Sequence, residues 1–362
     1  MSFDPASALA GFGWRQELPA ATAWRNAPQG RIARISVQHR SGYRACCADE
    51  EFAVQAPAAW TRTGFPAEQR AVVGDFVRLD EDGLIVELLP RSSLFKRAAA
   101  GEALRTQPIA ANIDTVFVVT GLDGDFNPRR LERYLVLVQA SGAQPVVLLT
   151  KLDSCEAAQE MRGKLASIEA AGVPVRALNA KDAASVAQLS PWLVAGQSVV
   201  LVGSSGAGKS TLTNTLTGRQ KMKTGAVRDR DSRGRHTTTH RALISLPQGA
   251  CLIDTPGMRE LKLAGDESLG DAVFDDIVEL ARNCRFRDCR HGKEPGCAVR
   301  EALEQGKLDP GRFANYLKLD AELSQATQTL AARPALTARR KKPAPRQRSG
   351  WNAQDDDPET VE

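Results

Sequence analysis

Val199-Val200-Leu201-Val202-Gly203-Ser204-Ser205-Gly206-Ala207-Gly208-Lys209-Ser210 decides how the rest of the chain is read. Four apolar residues form a short buried strand. The next eight fit G-x-x-x-x-G-K-[ST] without a mismatch, and Leu212 and Leu216 then open a helix that Gly218 closes. Strand, glycine-rich loop and helix together form the context in which this pattern holds phosphate. The glycines let backbone N–H groups close around phosphate oxygens, and the helix N-terminus adds its positive dipole. In such loops the lysine, here Lys209, reaches the β- and γ-phosphates, and the hydroxyl after it, here Ser210, holds Mg²⁺. Thr211 completes the expected binding stretch 203–211.

Downstream, an apolar run ends at Ile253 and leads into Asp254-Thr255-Pro256-Gly257. An Asp at the end of a buried strand in a phosphate-loop protein helps to hold Mg²⁺, and the Gly257 N–H can meet the γ-phosphate. Upstream, the run 146–149 ends in Thr150-Lys151-Leu152-Asp153, which resembles the Asn-Lys-x-Asp guanine motif of GTPases. Asp153 is expected to accept hydrogen bonds from guanine N1–H and N2–H₂, groups that adenine lacks. Lys151 is expected to lay its stem over the ring. Thr150 departs from the usual Asn. Asn179-Ala180, closing the run 173–178, stands where Ser-Ala usually backs guanine O6. A phosphate-loop kinase or ATPase would leave Lys151 and Asp153 unexplained.

The order of these motifs is unusual: the guanine motif at 150–153 precedes the phosphate loop, which precedes Asp254. A site is a spatial arrangement, so a permuted chain can build it from the same strands. With this order, Gly74-Asp75 in the N-terminal third and Arg233-Gly-Arg-His236-Thr-Thr-Thr-His240 before Asp254, the chain resembles the small-ribosomal-subunit-dependent GTPase A family (RsgA, also called YjeQ) over about residues 31–330. The resemblance implies an OB-fold, a circularly permuted GTPase domain and a zinc domain. It implies GTP hydrolysis, with GTP and GDP as ligands, in late maturation of the 30S ribosomal subunit. The 30S subunit and 16S rRNA are then the expected partners.

The remaining chain suits this α/β reading. Residues 31–90 carry short β-like runs (31–37, 51–54, 70–79, 84–89) between turn signals, as in a small OB-like barrel. From Asp114, strands alternate with helices, the signature of a mainly parallel sheet. Asn127 can cap a helix whose first residue is Pro128, and Leu131, Tyr134, Leu135 and Val138 share its apolar face up to Gly142. After Leu263, helical patterns dominate: Leu269, Val273, Ile277 and Leu280 on one face, then a second stretch over 311–330. The expected divisions are a flexible leader (1–30), the barrel (31–100), the GTPase domain (101–263), a helical zinc-binding unit (264–335) and a disordered basic then acidic tail (336–362). The tail reads equally as a solvated segment or as an RNA-contacting arm.

Cys284-x4-Cys289-x-His291-x5-Cys297 supplies three thiolates and an imidazole. That set closes a tetrahedral structural zinc site and leaves no open position for catalysis. Seven cysteines, three of them gathered here, argue against a disulfide framework. Residues 219–240 are polar and aperiodic, like a switch loop, and Thr238 is the favoured ligand to Mg²⁺ and the γ-phosphate. Met258 occupies the position where many GTPases carry a water-orienting glutamine. His236 is the candidate to orient water instead, with packing or RNA contact as its alternative role. The net charge of +5 is mild. No apolar run nears the ~18 residues of a membrane span, and no secretory signal opens the chain. A cytoplasmic monomer is expected. A nucleotide-regulated RNA-binding protein without a ribosome-specific role is the alternative function.

Overall fold

The structure, a computed structural model, describes residues 4–39, 42–48, 50–99, 102–218, 241–255, 262–269 and 273–331. Thirteen strands are found among them, numbered here in chain order. The first five, β1 (Arg31–Gln38), β2 (Tyr43–Cys47), β3 (Glu50–Val54), β4 (Phe76–Leu79) and β5 (Ile85–Leu88), form the barrel. Antiparallel ladders join β2 to β3, β1 to β2, β1 to β4 and β4 to β5. A parallel bridge from Gln55 to Leu84 returns from the end of β3 to the start of β5 and closes the circuit. A five-stranded loop in the order 1-2-3-5-4-1 leaves no long open edge, which is how an OB-fold manages its unpaired backbone. The expected run 70–79 is strand only from Phe76. Before it the chain turns at Gly74 so that Asp75 can point inward, where its carboxylate accepts the Val72 N–H at 2.7 Å and pairs with Arg91 at 2.7 Å.

A flexible leader is expected over 1–30, but its described residues, 4–30, are ordered against the barrel. Helices α1 (Pro5–Ala8) and α2 (Pro19–Asn26) flank a turn, and Leu9, Trp14, Leu18 and Trp24 are buried in the barrel core beside Phe76. Their spacing follows no single period because two short helices with a turn between them present different faces, so the apolar pattern is hidden. Arg15 pairs with Asp114 at 2.6 Å and fastens this segment to the base of the next sheet.

β6 (Leu94–Ala99) and β7 (Glu102–Ala111) form one antiparallel hairpin, so the boundary expected between 100 and 101 falls at its tip. The central sheet follows: β8 (Thr115–Gly121), β9 (Gln144–Thr150), β10 (Val175–Ala177), β11 (Ser198–Val202), β12 (Arg241–Ser245) and β13 (Cys251–Asp254). Their spatial order is β10-β9-β8-β11-β13-β12, parallel except for β12, which continues by antiparallel pairing into β1 of the barrel. Every residue of β8 and β11 is buried, as strands with both faces covered must be. Arg34 is fully buried at the junction of the two units. Its guanidinium donates to Phe12 O at 2.6 Å and to Gly74 O and Asn112 O at 3.1 Å each. Leader, barrel and central sheet therefore share one buried cation.

Helix α3 (Pro128–Ala140) has Asn127 as its N-cap, with the side chain accepting the Arg130 N–H, and Leu131, Tyr134, Leu135 and Val138 are buried beneath it. Short helices α4 (Ala158–Gly163), α5 (Ala166–Ala170) and α6 (Ala183–Val186) connect β9, β10 and β11, and α7 (Lys209–Thr217) follows β11. The C-terminal unit contains α8 (Asp275–Arg282), α9 (Ala298–Glu304) and α10 (Pro310–Ala331). Leu269 and Val273 lie before α8 and are buried without belonging to it, so the expected helical face narrows to Ile277 and Leu280. Val299, Phe313 and Leu319 join the same core as α3. At this seam Arg312 is buried, donating to Glu132 at 2.8 Å and pairing with Asp276 at 2.8 Å, while Asn315 donates to Glu132 at 2.6 Å.

Candidate nucleotide site and metal centre

Parallel strands deliver their C-terminal ends to one edge of the sheet, and ligands collect where strand order reverses. Here the reversal falls between β8 and β11: from β8 the chain runs outward to β9 and β10, whereas from β11 it runs the other way to β13. At that edge stand Thr150 at the end of β9 with Lys151 and Asp153 after it, Asn179 and Ala180 after β10, the 203–208 loop after β11, and Asp254 at the end of β13. The motifs out of sequence order are thus neighbours in space.

The phosphate loop leaves β11 at Gly203, whose φ is +144° and where an added Cβ would lie 2.1 Å from Val119 O. Gly208 is the N-cap of α7. The Lys209 ammonium bends back over the loop and donates to Gly203 O at 2.8 Å and Ser204 O at 2.5 Å. Phosphate oxygens seated in the loop would take over those donors. Burial pushes the Asp254 carboxyl above the ordinary range, while the nearby Lys209 charge pulls it down. A divalent cation beside Ser210 and Asp254 would favour the ionised form further.

Thr150, fully buried, donates its hydroxyl to Ala207 O at 2.6 Å. The residue that departs from the usual Asn therefore still ties the guanine strand to the phosphate loop. Lys151 has φ +63°, unusual for a side chain of this size, and its ammonium meets Asp123 at 2.5 Å. The Lys181 ammonium meets Asp153 at 3.2 Å. Asn179 caps its own turn by accepting the Lys181 N–H at 3.0 Å. Asp123, Asp125 and Lys181 escaped sequence reading. The first two follow β8, which matches no nucleotide motif and reaches the site only because β8 lies between β9 and β11. His236, Thr238, Gly257 and Met258 lie outside the described residues, as does the tail 336–362.

The four metal candidates do come together. The ligand atoms of Cys284, Cys289, His291 and Cys297 all lie within 4.8 Å of one another. Cys284 Sγ and Cys297 Sγ are 3.9 Å apart, and they lie 3.6 and 3.5 Å from His291 Nδ1. Tetrahedral zinc with arms of ~2.0–2.3 Å requires edges of ~3.4–3.8 Å. The donor set and its spacing fit that ion. His291 sits in the left-handed region at φ +60°, and Cys297 is the N-cap of α9.

The RsgA GTPase family model matches residues 88–264. A second model, that of the ABC transporter, matches residues 186–352, a stretch that shares a phosphate loop with the first. Small ribosomal subunit biogenesis GTPase RsgA of Xanthomonas euvesicatoria pv. vesicatoria is 57% identical over 328 residues, covering 89% of this chain and 90% of the relative. The protein of the same name from Xanthomonas axonopodis pv. citri is 58% identical over 330 residues, covering 89% and 90%. Among solved structures, YjeQ from Thermotoga maritima superposes with a TM-score of 0.60 at 25% identity, covering 81% of this chain and 98% of that one. YloQ, described as a circularly permuted GTPase, gives 0.57 at 25% identity over 82% and 96%.

Proposed function

Because the chain belongs to the RsgA GTPase family and is a GTP hydrolase, we propose that it binds the small ribosomal subunit or its precursor in the GTP state and leaves on hydrolysis. The observation that carries the subunit as partner, beyond the relatives' name, is the surface of the Cys₃His unit. Arg282, Arg285, Arg287, Arg290 and Lys293 are exposed in the same segment as Phe286, itself 41% exposed with the Arg285 guanidinium 5.5 Å from its ring. An exposed aromatic among arginines suits unstacked bases and phosphates of RNA. This reading places the protein in the cytoplasm as a monomer, with 16S rRNA as the contacted polymer and barrel, GTPase core and zinc unit as its working parts.

In this reading Asp153 and Lys151 recognise guanine with Thr150, Leu152, Asn179 and Ala180 around them. The 203–211 stretch holds the phosphates, and Lys209 stabilises charge that develops on them. Ser210 and Asp254, joined by Thr238, hold Mg²⁺, which neutralises charge on the β- and γ-phosphates. Gly257 N–H meets the γ-phosphate, and His236 orients the attacking water. One structural zinc on Cys284, Cys289, His291 and Cys297 closes the C-terminal unit. With Met258 in the glutamine position, the free protein turns over slowly. Contacts supplied by a partner can raise such rates by ~10³–10⁵. GTP turnover measured with and without purified 30S subunits tests this directly. Strong stimulation that falls with salt is expected, and His236→Ala is expected to retain binding while losing most of the stimulated rate. Equal turnover in both conditions would remove the subunit from the proposal and leave the GTPase intact.

A further inference from the structure

The loop between β8 and α3 (residues 122–127, Leu-Asp-Gly-Asp-Phe-Asn) has no part in the phosphate or guanine motifs, yet it touches both. The reason is topological: β8 pairs with β9 on one side and with β11 on the other. Whatever follows β8 must emerge between the guanine motif and the phosphate loop. Two carboxylates do so. Asp123 Oδ2 receives the Lys151 ammonium at 2.5 Å, and Asp125 Oδ2 accepts the Ser204 hydroxyl at 2.5 Å. The two are linked, since the Asp125 N–H donates to Asp123 Oδ1 at 3.0 Å. The approach is close: a Cβ on Gly121 would lie 2.7 Å from Asp123 Oδ1 and 3.2 Å from the Lys151 stem.

Two acidic groups beside a polyphosphate site would repel the ligand if left bare. Neither is. Asp123 is paired with Lys151, and its carboxyl, though partly desolvated, is held below its ordinary range by that ammonium. Asp125 Oδ1 is paired at 2.6 Å with Arg130, whose backbone N–H is fixed in turn by the Asn127 cap at 3.1 Å. Arg130 thus leaves Asp125 neutralised in its other oxygen and free to orient a hydroxyl. The chain Asn127–Arg130–Asp125–Ser204 runs from the first turn of α3 to the first turn of the phosphate loop.

We propose that Asp123 and Asp125 are positioning residues of the GTPase reaction, forming a two-carboxylate clasp that sets Lys151 at the base and Ser204 at the phosphates. The clasp rests on the assignment of Lys151 and the 203–211 stretch to the nucleotide. Asp125 acts through Ser204 on the loop that wraps the phosphates, and Asp123 acts through Lys151 on the ring. Neither touches the reacting atoms.

A double-mutant cycle on the full-length protein tests it, with affinity for a fluorescent GDP analogue and KM for GTP as readouts. Asp125→Ala and Ser204→Ala should each weaken GDP binding by about tenfold, the scale of a hydrogen bond to a charged group. The double variant should be no worse than either single, because both remove the same contact. Asp123→Ala should raise the GDP dissociation constant and the GTP KM by the same factor, about three- to fivefold, since Lys151 meets a base common to both. The nucleotide-free melting temperature of Ser204→Ala should match that of the parent. Unchanged affinity in Ser204→Ala, or additive losses in the double variant, would overturn the clasp at the phosphates. Tighter binding in Asp123→Ala would overturn it at the base, by showing that the carboxylate competes for Lys151 rather than placing it. Lys209→Ala separates the two levels: if it binds nucleotide normally, the site assignment itself fails. If it loses binding while Ser204→Ala and Asp125→Ala keep theirs, only the clasp fails.

Discussion

The central sheet and the C-terminal unit lie against each other, yet they are held together by different physics. β8, β9, β11 and β13 are packed on both faces by apolar side chains from α3, α7 and the connecting helices, with one buried cluster on each face. The unit from 273 to 331 has three helices of which only one exceeds eight residues, and its large buried apolar side chains are few: Val273, Phe274, Ile277, Val299, Leu308, Phe313 and Leu319. Besides its share of the core under α3 it has polar cross-links, the Cys₃His cluster and the Arg312–Glu132 pair. Burial scales with area and tolerates small errors, whereas a ligand set or a buried ion pair depends on every member being present. The nucleotide edge is built on the tolerant part and the exposed basic knuckle on the exacting part.

The largest effect that could break this contrast is metal removal. Structural zinc contributes ~10–16 kcal/mol to the folding of small zinc units. Chelation, or Cys289→Ala or His291→Ala, should therefore loosen α8 and α9 while the core keeps its affinity for GDP. Hydrogen exchange read segment by segment checks this, and loss of protection in β8 and β11 together with α9 would erase the distinction. Metal analysis of protein purified without chelator should give one zinc per chain.

Next comes the seam. Glu132→Ala leaves Asp276 as the one carboxylate still paired with the buried Arg312, and stranding one partner of a buried pair costs about 3–5 kcal/mol. Urea unfolding should show that loss. The apolar double variant Glu132→Leu with Arg312→Met should recover much of it, because the charges it leaves, Asp276 and Arg129, reach solvent and none is stranded in the core. A double variant as unstable as the single would show that geometry at the seam, not charge, holds the units together.

Smaller effects belong to the core. Asp153→Asn should weaken GTP by roughly a hundredfold or more and favour xanthine nucleotides, because a site built to pair a donor rejects a ligand it cannot satisfy. Competition between GTP and XTP measures it, and unchanged GTP affinity would remove Asp153 from the base site. Smallest of all, Thr150→Val removes the hydroxyl donated to Ala207 O at 2.6 Å. A loss of about 1 kcal/mol, near fivefold in GDP affinity, is expected, with no change in preference between guanine and xanthine.

How legible each region was follows the same divide. The phosphate loop, the guanine motif and the Cys₃His set were readable because each is local: a few residues whose spacing is dictated by one ligand or one turn. The helix from Pro128 to Ala140 was equally plain, since Asn127 and Pro128 mark its start and the apolar period marks its face. The leader was misread because Leu9, Trp14, Leu18 and Trp24 bury themselves against strands distant in sequence, so no local period betrays them. The break before Phe76 was hidden likewise, since Asp75 turns inward to meet Arg91, sixteen positions on.

What the residues alone displayed was the GTPase class, the Cys₃His cluster and the inverted order of the motifs, because each is a local pattern of residue types. The sequence carried no sign of which strands meet to close the expected barrel, the single sheet running from β10 through β12 into β1, the Arg34 anchor or the Asp123–Asp125 loop between the two halves of the site. Those depend on which strands lie side by side. Strand neighbours are chosen by the summed burial of side chains far apart in the chain, a quantity that no local pattern contains.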